Sequence, residues 1–241
     1  ISKREVIISQ KNKIVAQIPT SALSDETPIN IHNIIKEPPI HLLEKWEWTE
    51  EELPAISENK IFSLKDQQKY SFSEIILKLL SNPSIASKSW VYRQYDSQVQ
   101  SNTVFKPGDA DAALIRLRRQ DEKNKNNEFS GVAASVDCNS RWVLLDPYRG
   151  SIAAVAESAR NVSCVGAQPI AITNNLNFSS PETEIGYWQL SSACDGISKA
   201  CIALETPVTG GNVSLYNESK NQNNQVTPIN PTPVIGMVGT I

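Results

Sequence analysis

Residue types that commonly build functional sites are scarce in this sequence. Its 241 residues include only two histidines, one methionine and four cysteines. The cysteines form no Cys-x-x-Cys pair, and two histidines cannot complete a zinc site with them. We therefore expect no zinc centre and no disulfide framework, but reduced thiols that mostly fill the core. The thiols are Cys138, Cys164, Cys194 and Cys201.

Long apolar runs and a strong net charge are also lacking. No uninterrupted apolar run approaches the roughly 18 residues that span a bilayer, and no signal-like segment opens the chain. With 23 basic and 26 acidic side chains, the net charge of −3 provides no electrostatic footprint for nucleic acid. We therefore expect a cytoplasmic protein without nucleic-acid or membrane partners. Because the chain starts at Ile1 without Met and stops on an apolar run, we expect it to be a fragment.

The first 90 residues predict short elements and a connector. Residues 6–8 and 14–18 are strand-like, whereas the prolines and charges of 20–60 are typical of an irregular surface segment. Ser71 and Glu74 form a capping box that begins a helix with one apolar stripe. The two histidines, His32 and His41, lie in the connector and are expected at the surface.

From about residue 104, predicted strands alternate with predicted helices, which indicates an α/β or α+β fold. The predicted strands are 112–117, 132–136, 143–145, 169–173 and 234–238. The predicted helices are 151–165, with Ser151 as its cap and Gly166 after its end, and 184–204. A polar loop is predicted at 123–128 and a flexible loop at 217–225. Four of the strands are substantial, and residues 143–145 form only a short one.

Three polar clusters fall at predicted strand ends or on a helix, where open sheets commonly bind ligands. They are residues 137–139, the pair Glu157 and Asn161, and residues 210–214. Carboxylate and amide oxygens suit Mg²⁺, and a Gly-Gly turn lets backbone N–H groups approach a phosphate. Each cluster also has an ordinary structural interpretation: an Asx turn, a solvated helix face and a hairpin turn, respectively. Spacing alone leaves these alternatives open.

Seven stretches of the sequence form an ordered set of motifs, at residues 108–113, 136–139, 145–150, 155–161, 173–178, 206–218 and 231–239. The most specific strings are Asn-Leu-Asn-Phe at 175–178 and Gly-Gly-Asn-Val-Ser-Leu-Tyr-Asn-Glu at 210–218. In this order the stretches resemble the synthetase (large) subunit of phosphoribosylformylglycinamidine synthase of the small bacterial type. The resemblance is good over about residues 90–241 and weak over 1–40.

The resemblance implies a fold and a place in a longer polypeptide. It implies an aminoimidazole-ribonucleotide-synthetase-like domain with a mixed four-stranded sheet and long helices. Such a domain pairs with an equivalent one into a barrel-like pseudo-dimer. Residues 1–30 then end a preceding first-half α/β domain, residues 31–89 form a connector with a short helix, and residues 90–241 form the second ATP-binding-type domain.

The resemblance also implies a reaction and site residues. The family converts formylglycinamide ribonucleotide, ATP and glutamine-derived ammonia into formylglycinamidine ribonucleotide through an iminophosphate in purine biosynthesis. By motif, Asn174 and Gly211 correspond to ATP-binding positions, Asn212 to a Mg²⁺ ligand and Ser214 to a ribonucleotide-binding residue. Many members have Asp where this chain has Asn174. The catalytic histidines of the family belong to the first half, so this chain is expected to contain no catalytic residue.

A second, non-catalytic nucleotide site is implied as well, with Asp137, Glu157 and Asn161 as its metal ligands. The implied protein partners are the first half of the same polypeptide, a glutaminase subunit and a small accessory subunit. In isolation the chain is expected to be inactive and to form a homodimer through its sheet.

Two rival interpretations stand beside this one. The chain could be a non-catalytic nucleotide-binding half that only braces the catalytic half. It could also belong to another ATP enzyme of the superfamily, such as selenophosphate synthetase or thiamine-phosphate kinase. Those enzymes lack the two specific strings.

Overall fold

The computed structural model describes residues 4–47, 49–52, 56–57, 60–62, 68–118 and 130–241. It divides into two compact units, Ile1–Asn33 and Ile34–Ile241. The polar loop predicted at 123–128 lies outside the described residues. Within the described parts, none of the helices has the length and apolar character needed to cross a membrane.

The first unit is a β-hairpin followed by one short helical turn. Strands β1 (Glu5–Gln10) and β2 (Lys13–Pro19) pair antiparallel, as the sequence predicts. Their connection, Lys11 and Asn12, has positive φ at both residues, the backbone of a tight hairpin turn. A 3₁₀ turn, Thr20–Leu23, follows.

The second unit begins with small elements. They are α1 (Ile40–Trp46), a 3₁₀ turn (Glu50–Glu52), β3 (Ile56–Ser57), β4 (Lys60–Phe62), β5 (Lys69–Ser71), α2 (Phe72–Leu80), α3 (Ser89–Tyr92) and a 3₁₀ turn (Val99–Ser101). The capping box of α2 is confirmed, because Ser71 accepts from the Glu74 amide and Glu74 accepts from the Ser71 amide. The apolar stripe of this helix is mostly exposed, so it does not form a core face as its pattern suggests.

The centre of the second unit is a five-stranded mixed sheet. Its strands are β6 (Ala113–Leu117), β7 (Ser130–Asp137), β8 (Gln168–Asn177), β9 (Val208–Ser214) and β12 (Thr232–Thr240). The order is β6-β7-β12-β8-β9, and only β8 and β9 run parallel. The mixed α/β class is confirmed. The prediction of four strands is wrong because it left out β9.

Helices cover one face of this sheet. They are α4 (Ser140–Leu145), α5 (Pro147–Cys164) and α6 (Glu184–Leu204). Strand residues on this face, such as Ile235 and Met237, are 0% exposed. The bounds of α6 agree with the prediction. At the crossing of α5 and α6, a Cβ on Gly196 would lie 2.2 Å from the Tyr148 carbonyl oxygen, so a side chain there would separate the helices.

The opposite face of the sheet is apolar and open. Val136, on the inner strand β7, is 72% exposed, and Ile115, on the outer strand β6, is 48% exposed. Successive side chains of a strand point to opposite faces of the sheet. The open face is therefore formed by the strand residues that alternate with the buried ones. An apolar sheet face of this kind is normally covered.

Two local predictions are wrong for identifiable reasons. Residues 143–145 belong to α4, whose start is capped by the Asn139 side chain. The predicted cap, Ser151, lies inside α5, which begins at Pro147 and is capped by Asp146. The hydroxyl of Ser151 is buried without a hydrogen-bond partner in the described residues. A short apolar run cannot by itself distinguish helix from strand.

The loop predicted at 217–225 is largely a hairpin, formed by β10 (Glu218–Lys220) and β11 (Val226–Pro228). All four cysteines are free thiols, as expected. Only Cys201 is buried, so the prediction that most of them fill the core is wrong.

Candidate functional site

The carboxyl ends of the parallel strands β8 and β9 carry most of the predicted site residues. The register pairs Asn174 with Gly211, Asn175 with Asn212 and Asn177 with Ser214. Residues 210–211 were expected in a turn, but they lie within β9. The cluster is therefore assembled by strand pairing across the whole of α6, which sequence spacing does not reveal.

Asn174 and Gly211 lie on the helix-covered side of these strands. Asn174 follows the alternation of the buried Ile172 and Leu176 and lines a cavity of about 540 Å³ beside α6. A Cβ at position 211 would lie 2.0 Å from the Asn174 Oδ1 atom. Any side chain at Gly211 would collide with Asn174, so this glycine is required by a close approach of two strands.

Asn212 and Ser214 lie on the opposite, open face. The Asn212 Nδ2 atom donates to Asn175 Oδ1 at 3.2 Å, and Asn177 lies beside Ser214 in the register. Sequence reasoning missed Asn175 and Asn177 as members of this row of amides. The signal that could have found them is strand alternation, which places 175 and 177 on one face.

The open-face row has the donor chemistry of a phosphate and metal site. Nothing lies within 4 Å of a Cβ position at Gly210, so a ligand can approach the backbone there. The Asn212 Nδ2 atom donates its hydrogen bond to Asn175. The Asn212 Oδ1 atom has no hydrogen-bond partner among the described residues and can bind a cation. Amide oxygen is a suitable but neutral Mg²⁺ ligand, so an ion there would depend on phosphate oxygens for its remaining partners.

A second polar cluster lies where β7 ends against α5. The Asp137 carboxylate accepts from Asn161 Nδ2 through Oδ1 and from Ser158 Oγ through Oδ2, both at 2.9 Å. Two of the three predicted ligands, Asp137 and Asn161, are thus in direct contact. The Asx-turn alternative for residues 137–139 applies to Asn139, the cap of α4.

Glu157 is near the same cluster but hydrogen-bonds to none of its members. It lies one helical turn before Asn161, is half-buried, and has no hydrogen-bond partner in the described residues. Partial burial, reinforced by the Glu157 charge, raises the pKa of the Cys138 thiol to about 11. The carboxylate of Glu157 therefore acts electrostatically at the residue next to Asp137. No group of three or more His, Cys, Asp or Glu side chains suited to hold a metal is found in the described ranges.

The profile of one protein family, AIR synthase related protein, N-terminal domain, matches residues 109–241. This match covers more than half of the chain and includes the five-stranded sheet and both polar clusters. The chain belongs to this family.

Named relatives agree with the family assignment. The chain is 98% identical over 241 residues to phosphoribosylformylglycinamidine synthase subunit PurL of Prochlorococcus marinus subsp. pastoris, and covers 31% of that protein. It is 58% identical over 242 residues to the PurL subunit of Prochlorococcus marinus strain NATL1A, and covers 30% of it. The chain thus spans about a third of the length of the curated relatives it matches.

Solved structures from Thermotoga maritima share the fold. PurL complexed with AMPPCP is 26% identical with a TM-score of 0.62, and the match covers 100% of this chain and 33% of that one. The PurLQS structure is 25% identical with a TM-score of 0.62, and the match covers 99% of this chain and 32% of that one. PurL complexed with FGAR is 26% identical with a TM-score of 0.59, covering 99% and 31% respectively.

Proposed function

We propose that this chain is the second ATP-binding-type part of a phosphoribosylformylglycinamidine synthase. In this proposal residues 1–30 end a first-half α/β domain, residues 31–89 connect the halves and residues 90–241 form the ATP-binding-type domain. The observation that carries the proposal is the row of amides and glycines at the ends of β8 and β9, within a family whose near-identical relative bears that name.

The proposed reaction is an ATP-dependent carbon–nitrogen ligation. ATP phosphorylates the amide oxygen of formylglycinamide ribonucleotide, and ammonia from glutamine then displaces phosphate to give the amidine. An amide oxygen is a poor leaving group, and phosphorylation makes it a good one. Such phosphoryl transfer depends mainly on positioning and charge neutralisation, which neutral amides, exposed backbone N–H groups and Mg²⁺ can supply.

The two faces of β8 and β9 would then have different roles. Asn174 and Gly211 lie on the helix side and would contact ATP, whereas Asn212 would hold Mg²⁺ and Ser214 the ribonucleotide from the open face. β9 is the outer strand of the described sheet, so a nucleotide can extend around its free edge. That Thermotoga maritima PurL was solved with AMPPCP and, separately, with FGAR supports a nucleotide and FGAR as the ligands, and the assignment to individual residues rests on the motifs.

The Asp137 cluster is proposed as a second, non-catalytic nucleotide site. Asp137 and Asn161 are already in contact. The charge of Glu157, which has no hydrogen-bond partner in the described residues, contributes to the raised pKa of the Cys138 thiol. Each Asp137 oxygen accepts one hydrogen bond and keeps a lone pair for an ion. An oxygen-rich set of this kind suits Mg²⁺.

The proposed assembly covers the open sheet face. The equivalent sheet of the first half would pack on Val136 and Ile115, which explains why these apolar side chains are exposed here. A glutaminase subunit and a small accessory subunit are proposed as further partners, in the cytoplasm, consistent with the PurLQS structure from Thermotoga maritima.

The decisive experiment assays the complete polypeptide with both accessory subunits for ATP- and glutamine-dependent formation of formylglycinamidine ribonucleotide. We expect turnover by the complete assembly and none by residues 1–241 alone, because the resemblance places the catalytic histidines of the family in the first half. Amidine formation by the isolated chain above background would contradict the division of labour. If this half only braces its partner, substitutions at Asn212 would leave turnover unchanged.

A further inference from the structure

The loops that leave β8 and β9 are joined directly beside the ribonucleotide-binding candidate Ser214. Residues 178–183 follow β8, and residues 215–217 follow β9 at the same edge of the sheet. The carboxyl ends of parallel strands are the usual location of ligands in open sheets. The conformation of these loops therefore determines where the end of β9 lies.

The backbone of Ser214 is held from both loops. Its carbonyl accepts from the Phe178 amide at 3.0 Å and from Asn217 Nδ2 at 2.8 Å. The Asn217 amide in turn donates to the Phe178 carbonyl at 3.1 Å, and Phe178 is fully buried. The main chain of Ser214 is thus fixed on a buried anchor.

Tyr216, two residues further on, has an unusual backbone. Its φ of 59° lies in the left-handed region, which is a genuine outlier for a bulky residue. Such conformations persist where surrounding contacts determine them, and they concentrate at functional sites. The contacts here are the amide of Tyr216 to the Ser179 carbonyl and the phenol to Glu182 Oε1 at 3.1 Å.

The Glu182 carboxylate therefore connects the Tyr216 side chain to residues 178–183, the loop that follows β8. The hydrogen bond to Glu182 and its negative charge raise the pKa of the Tyr216 phenol. The phenol remains a donor at neutral pH. A second hydrogen bond, from the Ser180 amide to Glu218 Oε1 at 3.4 Å, also connects the segments that follow β8 and β9.

We propose that the Tyr216–Glu182 hydrogen bond is a latch that positions the hydroxyl of Ser214 for the phosphorylated sugar of the substrate. Tyr216 is a positioning residue in this scheme, since it acts through the backbone of residues 214–216. The inference rests on the proposed function only in naming the ligand. The latch itself is a property of the two loops.

The test uses the complete assembly and the variants Tyr216→Phe, Glu182→Ala and Glu182→Gln. Tyr216→Phe should raise KM for the ribonucleotide by about threefold, the scale of one solvent-exposed hydrogen bond, and should leave KM for ATP unchanged. Glu182→Ala should match it, and the double variant should be no worse than either single one. Glu182→Gln keeps an acceptor oxygen and should restore KM.

The matched control is Tyr95→Phe, which removes the same hydroxyl from an exposed tyrosine outside these loops. Unchanged KM for the ribonucleotide in Tyr216→Phe, or an equal rise in KM for ATP, would overturn the latch. Hydrogen exchange of the 212–218 amides gives an answer independent of the activity. Faster exchange in Tyr216→Phe than in wild type supports the latch even if the assembly makes no amidine, and unchanged exchange overturns it.

Discussion

The two faces of the five-stranded sheet are both apolar over β6 and β7, but only one of them is covered by helices. The helix-covered face is closed, and Met237 and Ile235 there are 0% exposed. The other face is equally apolar near Val136 and Ile115 but open, and it becomes polar only toward β8 and β9. The covered face contains the main cluster of buried apolar side chains, whereas the open face exposes apolar side chains and a row of amides.

The same division separates the candidate site residues. Asn174 and Gly211 belong to the covered side, and Asn212 and Ser214 to the open one. On the covered side, Asp137 already accepts hydrogen bonds from Ser158 and Asn161. On the open face, the Asn175 Oδ1 atom accepts from Asn212 Nδ2, and the Asn212 oxygen has no hydrogen-bond partner among the described residues. Asp137 and these amide oxygens all keep acceptor lone pairs for a ligand.

Replacing an apolar residue by Asp on each face tests this contrast most strongly. Met237→Asp places an unpaired charge in the core and should cost more than about 4 kcal/mol, enough to prevent folding. Val136→Asp faces solvent and should leave the domain folded. Circular dichroism during thermal unfolding measures both. Similar melting curves for the two variants would mean that the faces do not differ.

Self-association of the isolated chain tests the open face alone. Exposed apolar sheet surface should drive chains together in a twofold arrangement at micromolar concentration. Val136→Asp should shift the population to monomer because it places a charge in that interface. Sedimentation velocity distinguishes the species. A monomeric wild-type chain would show that the open face does not require a partner.

Asn212→Ala in the complete assembly tests whether the open-face amides are functional. Loss of one preorganised ligand should lower turnover at least about tenfold. Asn221→Ala, in the turn between β10 and β11, removes the same group away from the sheet and should have little effect. Steady-state kinetics compares them, and equal activities would remove Asn212 from the site.

The raised pKa of the Cys138 thiol should make the free energy of unfolding depend on pH. Because the thiol has a pKa of about 11 when folded and a lower one when unfolded, its stabilisation is complete below about pH 8.5. It should decline between about pH 9 and 11, as the unfolded chain ionises first. Denaturant titrations at several pH values should show this decline, and Cys138→Ser should flatten it. A slope unaffected by the substitution would exclude the thiol as its source.

The smallest effect is expected at the end of the helix layer. Glu205 caps α6 with φ 56°, a left-handed conformation that favours glycine. Glu205→Gly should raise the free energy of unfolding by about 0.5–1 kcal/mol. Chemical denaturation measures it against Glu184→Gly, which places glycine in the first turn of α6 and should destabilise. A loss of stability in Glu205→Gly would mean that the Glu205 side chain outweighs the backbone gain.

Local patterns predicted the elements that local physics determines. The 21 residues of α6 carry a full helical periodicity between Thr183 and Glu205, and their bounds were predicted correctly. β9 was missed because Gly210 and Gly211 favour a turn, whereas the structure uses glycine there to admit the Asn174 side chain. Asn174 precedes Gly211 by 37 residues, so no window of neighbouring residues reveals this contact.

Local patterns likewise predicted only the part of the candidate site that neighbouring residues determine. The i, i+4 spacing placed Glu157 and Asn161 on one helix face, but the contact of Asn161 with Asp137 depends on how α5 packs on β7. The resemblance to a family supplied Asn212 and Ser214. Their neighbours Asn175 and Asn177 emerged only from the register.

The position of β9 has a consequence for the order in which this domain assembles and opens. Among the described residues β9 pairs only with β8, and the long α6 separates the two strands along the chain. An outer strand that is held on one side is among the first to exchange its amides. The strand that carries Gly211, Asn212 and Ser214 is therefore expected to open more readily than the inner strands β7, β12 and β8. A bound nucleotide would slow its opening, so ligand affinity and the local opening rate of β9 should change together.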